Sequence, residues 1–484
     1  MPERPPAIPE WGRKLSGLNA GIWRASVASP MMRSPMTGLF LLDHLPDADA
    51  MLDRMDQVTR WFPALRQRIV EPIGRIGQPR MVVDPEFDIS FHTAYYRLPE
   101  PGSWEQLLRH VRRHSMTDLD RDRPLWRATL IDGLAGGRAA IVLVVHHAIA
   151  DGQGMVMIIA GLMDWTPASV SASEAPPAPP PGRTDRWTAT AAATASGLAR
   201  AGRTGAALAT AAPAAVGGLV RHPRQRADET LRMAASASRV MQFFPEPLSP
   251  LMRGRGSRYT PRTLDVPFSG LRAAAKAHGG TLNDGFLAGL TAGLRLYHEA
   301  HDVPVGRVRV NVPISLRKEG DSAEANLTSL ARLELDAAER DARVRFRESH
   351  EAMERGRSEP FLPLVDDLVG DASRVLPVEL LVRFTRGSDV TASNVPGIPE
   401  PVWMGGARLE RMYPVVPTLG AAANITLLSY AGQWCSIGVN TDDAAVPDPD
   451  VFVRCLAAGF DEIGADPGES PADPLANAQT GPST

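Results

Sequence analysis

One stretch of the chain says most about its fold: Arg138-Ala-Ala-Ile-Val-Leu-Val-Val-His146-His147-Ala-Ile-Ala-Asp151-Gly152-Gln-Gly154. Its apolar run is short and continuous, which is typical of a strand that is buried on both faces. The strand delivers two histidines to the edge of a sheet, where a loop with two flexible glycines opens a cleft. We therefore expect functional side chains at this point.

Histidine at such a position is suited to proton transfer, because its unperturbed pKa lies near neutrality. Asp151 follows His147 by four residues and can tie the loop back, which would fix the geometry of the imidazole. Two other interpretations stay open from these residues alone: a histidine that serves only local structure, and a metal site in which His and Asp share a helix face. The Gly-Gln-Gly sequence argues against a regular helix directly after the histidines, and no third ligand is close in sequence, so no metal is expected.

The composition excludes several classes of protein. The chain has 484 residues, which fits two domains better than one core. A formal net charge of −3 gives no support for nucleic-acid binding. Two cysteines, Cys435 in a predicted strand and Cys455 in a predicted helix, are too few for a disulfide framework, so we expect a cytoplasmic protein. The start of the sequence lacks the apolar core of a signal peptide, and no run of about twenty apolar residues could span a membrane.

The pattern divides the chain into four parts. Residues 15–165 mix strand and helix signals, with a strand near 38–42 and helices near 47–61, 104–115 and 155–165. Residues 166–249 comprise a Pro-rich linker to 186 and an Ala/Arg-rich helical segment that is interrupted near Pro213 and Pro223. Residues 250–464 return to mixed patterning, and 465–484 form a tail expected to be disordered.

The Ala/Arg-rich segment has two interpretations. It is a helical crossover that joins the two mixed regions, or a basic amphipathic helix that lies on an anionic membrane surface. Its apolar residues are mostly Ala and Gly, whereas strong interfacial helices use Trp, Phe and Leu. The crossover is therefore favoured, and weak peripheral association stays open.

Two motifs of the second half have local explanations. Thr281 is a good N-cap, and Asp284 supports the first helical turn against the helix dipole. Capping explains Asn283 less well than Asp284, and a side-chain amide near a helix N-terminus is a good donor toward a developing oxyanion. Residues 393–397, Ser-Asn-Val-Pro-Gly, follow a short strand at 388–391 and are typical of a turn.

Six segments in a fixed order carry a resemblance to a known family: Leu119-Asp-Arg-Asp-Arg-Pro124-Leu125-Trp126, the His-His-x-x-x-Asp-Gly segment, Leu282-Asn283-Asp284, Val312-Pro313-Ile-Ser-Leu-Arg317, Ser393-Asn394-Val-Pro396-Gly397, and Asn424 to Gly432 followed by Asp442 and Val446-Pro447-Asp448. Together they resemble the bacterial wax ester synthase/diacylglycerol acyltransferases. That family belongs to a superfamily of CoA-dependent acyltransferases that includes chloramphenicol acetyltransferase and the condensation domains of peptide synthetases. The resemblance spans most of residues 15–465 and is absent from about 166 to 250.

The resemblance implies an α/β fold of two chloramphenicol acetyltransferase-like halves with mixed sheets, joined by a helical crossover. The active-site channel would lie between the halves. His147 aligns with the superfamily's general base, and His146 would support it.

The remaining motif residues receive roles in the same way. Asn283 would face the histidines across the cleft as a donor to the oxyanion or the thioester. Gly152, Asp284, Ser393 and Asn394 would line the channel. Pro124 and Trp126 are expected to pack the strand that follows them.

Arg66, in Phe62-Pro63-Ala64-Leu65-Arg66, resembles the superfamily's Leu-Arg element. We expect its guanidinium to hold Asp151, since a bidentate guanidinium is the best geometric partner for a loop carboxylate. The alternative is a solvated charge at a helix end.

The implied activity is transfer of a long-chain acyl group from acyl-CoA to diacylglycerol, a long-chain alcohol or both, which gives triacylglycerol or wax ester. No cofactor is needed, and acyl-CoA is a co-substrate. Two alternatives stay open: a relative that acylates a specialised alcohol or amine, and a catalytically silent lipid-binding protein. Contact with the inner face of the plasma membrane or with lipid droplets, the acyl chain length, the preferred acceptor and the oligomeric state are not fixed by the sequence.

Overall fold

A computed structural model describes residues 12–150, 152–167, 175–196, 223–315, 328–365, 368–369, 372–373, 385–465 and 474–475. Two six-stranded mixed sheets organise these residues, and a small three-stranded sheet accompanies them. The fold class expected from the sequence, an α/β protein with two mixed sheets, is confirmed.

The first half of the chain provides most strands of the first large sheet, the helices that pack on it, and the small sheet. They are β1 (Arg13–Lys14), α1 (Gly17–Ala28), β2 (Pro35–Leu42), α2 (Ala48–Trp61), β3 (Gln67–Val70), β4 (Arg80–Val83), β5 (Thr93–Arg97), α3 (Trp104–Met116), β6 (Trp126–Asp132), β7 (Ala139–His146) and α4 (Gly152–Gly161), the small sheet being β1-β4-β3. The middle of the chain adds helices α5 (186–196) and α6 (Pro223–Val240).

The second half provides the other large sheet and its helices. Its elements are β8 (Tyr259–Pro267), α7 (Phe268–Ala277), α8 (Leu282–Glu299), β9 (Arg307–Ser315), β10 (Thr328–Asp336), α9 (Ala342–Arg357), β11 (Val390–Ile398), β12 (Trp403–Met404), β13 (Ala407–Val415), β14 (Ala423–Tyr430), β15 (Trp434–Asp442) and α10 (Pro449–Glu462). The strand order is β10-β9-β11-β14-β15-β8.

Strand β7 lies in the middle of the first sheet, whose order is β12-β13-β2-β7-β6-β5. All eight residues of β7 are buried. Ile141, Leu143 and Val145 join a core with helices α2 and α4, whereas Val142 and Val144 pack on the other face with helix α3. Because both faces of β7 are covered, its sequence is continuously apolar and does not alternate.

The second half of the chain contributes two strands to the first sheet. Strands β12 and β13 come from the second half, yet they complete the edge of the first sheet, where β13 pairs antiparallel with β2. The division of the sequence at about residue 250 did not anticipate that these two strands would join the first sheet. This pairing ties the two large sheets together next to the end of β7.

Two local expectations from the sequence are wrong. Residues 393–397 lie inside strand β11 and do not form a turn. Pro396, which lacks an N–H donor, occupies the place where the register with β14 shifts, between Val395 and Ile398. Gly397 permits a close backbone approach, since a Cβ there would lie 1.6 Å from the Ser429 carbonyl oxygen.

The second correction concerns the segment after the histidines. Helix α4 begins at Gly152, so the Gly-Gln-Gly sequence forms its first turn and does not exclude a helix. Tertiary packing of Met155, Ile158 and Ile159 against the core outweighs the weak helix propensity of glycine.

Candidate active site

The end of strand β7 is fixed on both sides by its neighbours. The His146 N–H donates to the Leu125 carbonyl at 2.9 Å, and the His147 N–H donates to the Ser34 carbonyl at 2.8 Å. The two histidines therefore leave the sheet at a defined point, between strands β2 and β6.

His146 is built into the fold through both of its ring nitrogens. The side chain is 7% exposed, its Nδ1 accepts from the Ala148 N–H at 3.1 Å, and its Nε2 lies 3.1 Å from Ser26 Oγ. Because Nδ1 accepts, the ring proton sits on Nε2 and is donated to Ser26, whose hydroxyl donates to the Trp23 carbonyl at 2.8 Å. Burial, and then the neighbouring His147, lower the pKa of His146 to about 3. His146 is therefore neutral and has no ring nitrogen left to take a proton.

His147 occupies the turn between β7 and α4 and is half-buried. Asp151, the expected partner of this region, lies outside the described residues. Gly152 is the first residue of α4 and packs near β11, since a Cβ there would lie 3.9 Å from Val395. The histidine thus stands where the first sheet meets strand β11 of the second.

One interpretation of the sequence made Arg66 a solvated charge at a helix end, and the structure shows that it is not. Its side chain is 12% exposed, Nε donates to Thr59 Oγ1 at 2.8 Å, and Nη2 forms an ion pair with Asp56. The guanidinium also lies 4.5 Å from the centre of the Phe87 ring, and burial lowers its pKa. Its pairing with Asp151 stays a prediction, because Asp151 is outside the described residues.

The Pro124-Leu125-Trp126 segment supports the strand beside the histidines. Trp126 is 1% exposed, donates its indole N–H to the Leu65 carbonyl at 2.7 Å and stacks on His92 at 4.6 Å. Pro124 precedes Leu125, whose carbonyl accepts the His146 N–H. The segment therefore anchors the backbone from which His146 and His147 project.

Helix α8 presents two different side chains in its first turn. Asp284 is buried, and its Oδ2 accepts from the Thr281 N–H at 2.8 Å and lies 3.1 Å from His350 Nδ1. The Asp284 N–H donates in return to Thr281 Oγ1 at 3.3 Å, and these two reciprocal bonds between Thr281 and Asp284 form a capping box. The Asn283 amide nitrogen is buried and has no hydrogen-bond partner among the described residues. Asn283 thus holds a donor that the surrounding structure does not use.

Strand β11 connects the two regions. Helix α4, which follows the histidines, and helix α8, which carries Asn283, both pack against it. Ser393 and Asn394 are half-buried on this strand, in register with Thr426 and Leu427 of β14. Four of the expected site residues, Gly152, Asn283, Ser393 and Asn394, therefore lie on elements that meet at one strand.

A cavity of about 50 Å³ lies between α4 and strands β2, β11, β13 and β14. Gly152 forms part of its wall, and most of the remaining wall is apolar, including Met36, Met155 and Met412. Thr37 also lines it, with a buried hydroxyl that has no hydrogen-bond partner among the described residues. The cavity can receive a short length of hydrocarbon, and its three methionine side chains can rearrange because they are unbranched and flexible.

Metal ligands were sought in the described ranges, which exclude Asp151. Within them, no three His, Cys, Asp or Glu side chains come close enough to share an ion. The same ranges contain no helix that is long and apolar enough to cross a bilayer.

Sequence reasoning missed three residues around the site. Ser26 and Trp23 on α1 hold His146, and Asp56 on α2 holds Arg66. Asp56 lies ten residues before Arg66, on the helix that precedes it, and could have been found as an acidic neighbour in the sequence. Ser26 is 120 residues from His146, and nothing in the local sequence marks the pair.

Comparisons with family models and with curated proteins find relatives along most of the chain. Residues 15–286 match the model of the wax ester synthase/diacylglycerol acyltransferase catalytic domain, and residues 325–464 match the model of the family's C-terminal domain. A candidate diacylglycerol O-acyltransferase of Mycobacterium tuberculosis strain H37Rv is 36% identical over 448 residues, which cover 90% of this chain and 89% of that protein. A second candidate diacylglycerol O-acyltransferase of the same strain is 30% identical and covers 83% of this chain and 86% of its own length.

Solved structures share the fold. The wax ester synthase/diacylglycerol acyltransferase from Marinobacter aquaeolei VT8 aligns with a TM-score of 0.59 at 21% identity, covering 94% of this chain and 100% of that one. The first condensation domain of the calcium-dependent antibiotic synthetase aligns with a TM-score of 0.62 at 19% identity, covering 94% and 96%. The two family models together account for most of the sequence, so the chain belongs to the wax ester synthase/diacylglycerol acyltransferase family.

Proposed function

We propose that this protein is an acyl-CoA-dependent O-acyltransferase that moves a long-chain acyl group to diacylglycerol, a long-chain alcohol or both. His147 would be the general base. The observation that carries this assignment is the difference between the two histidines. His146 uses both ring nitrogens within the fold, whereas His147 lies in the turn that leads to helix α4, whose first residue, Gly152, lines the apolar cavity.

The proposed reaction needs one proton carrier. The neutral His147 imidazole takes the hydroxyl proton of the acceptor as its oxygen attacks the thioester carbonyl carbon. The carbon–sulfur bond then breaks, and the proton passes from His147 to the CoA thiolate. Base catalysis of this kind contributes on the order of 10²–10⁴ in rate. The unused Asn283 amide is a suitable donor to the oxyanion of the tetrahedral intermediate.

Direct transfer is favoured over an acyl-cysteine intermediate. Burial raises the pKa of the Cys435 thiol to about 12, and burial also raises the pKa of Cys455. Neither thiol is a good nucleophile at neutral pH, because the thiolate is the reactive form. The acyl group would therefore pass from CoA to the acceptor in one chemical exchange.

The test is acyl transfer by the purified full-length chain, with labelled palmitoyl-CoA and one of three acceptors: dioleoylglycerol, hexadecanol or hexadecylamine. We expect labelled triacylglycerol, wax ester or both, with turnover unchanged by EDTA. Labelled amide alone would identify a relative that acylates amines. Tight binding of palmitoyl-CoA without any transfer would identify a silent lipid-binding protein. Loss of turnover on chelation, restored by zinc, would contradict the metal-free mechanism.

We also propose peripheral contact with a lipid surface, such as the inner face of the plasma membrane or a lipid droplet, by a cytoplasmic protein. Trp165 and Trp187 flank the Pro-rich segment and are 56% and 75% exposed. Exposed tryptophans suit the boundary between headgroups and acyl chains. Flotation with liposomes tests this: the Trp165→Ser, Trp187→Ser double variant should float less than the parent chain, and equal flotation would contradict the proposal.

A further inference from the structure

A second cavity lies at the β9–β10 edge of the second sheet, and its wall carries charged side chains. Its volume is about 580 Å³, within the range of small-molecule sites. The end of helix α6, strands β9 and β10, helix α9 and the segments around residues 242–244 and 358–362 form its wall. It shares no lining residue with the apolar cavity beside the histidines.

Positive charge dominates this wall. Among the described residues that line it, four are arginines, Arg239, Arg309, Arg332 and Arg355, and two are acidic, Glu334 and Glu359. Both glutamates are engaged: Glu334 lies 2.9 Å from Arg309 Nη2, and Glu359 accepts from Arg239 Nε at 2.7 Å. Arg355 lies 3.8 Å from the exposed Glu351, a weak surface pair. The described part of the wall thus carries two more arginines than glutamates.

Two of the arginines are held close together on one face of the sheet. Arg309 pairs with Glu334 across the β9–β10 ladder, so Arg332, two residues earlier on β10, is its diagonal neighbour. The two guanidiniums lie 3.6 Å and 5.7 Å from the centre of the Phe244 ring. Burial and the nearby Arg309 lower the pKa of Arg332 to about 10. An anion placed between these like charges would relieve their repulsion.

The arginines are well fixed, as a binding site requires. Arg309 is 4% exposed, and besides Glu334 it donates to the Gly387 carbonyl at 2.5 Å and the Glu246 carbonyl at 3.2 Å. Arg332 donates to the Gln242 carbonyl. Next to them, Leu330 is 38% exposed on the same strand face and, with Val240, gives the cavity an apolar side.

We propose that this cavity is a binding site for a phosphate monoester, with the phosphate at Arg309 and Arg332 and the organic group against Phe244 and Leu330. Guanidinium groups match phosphate oxygens in geometry and charge. Two sources carry this chemistry, a nucleotide phosphate such as that of a coenzyme and the headgroup phosphate of a lipid. The contacts that define this cavity do not depend on the acyl-transfer assignment.

Titration calorimetry of the full-length chain tests the proposal with three probes: adenosine 3′,5′-bisphosphate, 1-oleoyl-glycerol 3-phosphate and inorganic phosphate. At least one ester should bind more tightly than inorganic phosphate, and the ester that binds identifies the source. Arg332→Gln should weaken this binding by about tenfold or more, since it removes a charge-assisted hydrogen bond. The matched control is Arg340→Gln, because Arg340 is 74% exposed, pairs with Glu299 and lies outside the cavity wall.

A second pair of variants guards against a folding defect. Leu330→Glu places a carboxylate beside the arginines without removing them and should also abolish ester binding, whereas Leu364→Glu, at another exposed leucine outside the wall, should not. Thermal unfolding checks that each variant is folded. Binding of inorganic phosphate alone, or ester binding that is equal in the Arg332→Gln, Leu330→Glu and parent chains, would overturn the proposal.

Discussion

At the scale of single residues, the two adjacent histidines differ in their burial and in their position in the fold. His146 is neutral, buried and bonded to Ser26 and Ala148, whereas His147 stands in the turn that follows. We expect His147→Ala to reduce acyl transfer by about 10²–10⁴ with an unchanged midpoint of thermal unfolding. His146→Ala should reduce transfer less but lower the free energy of unfolding by about 1–3 kcal/mol, because it leaves buried polar groups unsatisfied. Equal and mild losses of activity in both variants, with equal stability, would exclude base catalysis by this pair.

Three histidines also predict how stability depends on pH. Burial is the main cause that lowers the pKa of His110 and His114 to about 4 and that of His146 to about 3. An unfolded histidine titrates near 6.5. Above that pH these histidines are neutral in both the folded and the unfolded chain. As the pH falls below about 6.5, the histidines of the unfolded chain bind protons, whereas those of the folded chain stay neutral. The stabilisation is therefore complete above about pH 6.5 and is lost progressively toward pH 4, by roughly 1.4 kcal/mol per pH unit for His146.

Urea unfolding at pH 7.5 and pH 5.5 measures this dependence. The His110→Gln, His114→Gln double variant should lose less stability between the two pH values than the parent chain does. His44→Gln is the control, because His44 is 58% exposed. A double variant with the same pH dependence as the parent chain would show that these two histidines are not held neutral.

At the scale of elements, the first turn of helix α8 separates a structural role from a chemical one. Thr281 and Asp284 form the capping box, and Asn283 between them keeps an unused amide donor. Thr281→Ala should lower the free energy of unfolding by about 1 kcal/mol with little effect on the rate constant of transfer. Asn283→Ala should reduce that rate constant by about 10²–10³ at unchanged stability. A loss of stability without a loss of rate in Asn283→Ala would exclude Asn283 from the proposed mechanism.

Elements were predictable where the signal is local. The apolar run before His146, the periodicity of 47–61 and 104–115, and the cap at Thr281 each lie within a few residues of the element they specify, and the structure has β7, α2, α3 and α8 there. The start of α4 at Gly152 and the extension of β11 through Pro396 were missed. In both places distant packing decides: the core against Met155, and the Ser429 backbone against Gly397.

For the site, local motifs name the histidines, Asn283 and the β11 residues, and helices α4 and α8 both pack against β11. The catalytic roles that these motifs imply stay predictions. The contact of Ser26 with His146 and the pairing of β13 with β2 were not predictable, because each joins residues more than a hundred positions apart and depends on no local pattern.

At the scale of the whole molecule, a buried polar cluster links the two sheets. Asp265 on β8 accepts from Ser436 Oγ on β15 at 2.7 Å and, across the sheets, from the Tyr413 hydroxyl of β13 at 2.7 Å and Arg411 Nε at 3.1 Å. Tyr413→Phe should lower the free energy of unfolding by about 1.5–3 kcal/mol, since it removes a buried bond to a charged acceptor.

Chemical denaturation measures the Tyr413→Phe effect, and Tyr95→Phe is its matched control. The Tyr95 hydroxyl also donates to a carboxylate, Asp132 at 2.8 Å, but Tyr95 is 57% exposed and the bond stays within one sheet. The control should lose well under 1 kcal/mol. Similar losses of unfolding free energy in both variants would show that the hydrogen bond between the sheets stabilises the fold no more than an exposed one does.

The passage of β13 into the first sheet has a consequence during synthesis on the ribosome. Strand β2 is buried along all eight of its residues, and β13, which covers one of its edges, spans Ala407–Val415. While the nascent chain is shorter than this, that edge is an unpaired, apolar row of backbone donors and acceptors, the feature that recruits other strands into aggregates. Translation that stops early would therefore release an aggregation-prone fragment. The first sheet begins earlier in the chain, but it is complete only after most strands of the second sheet have left the ribosome.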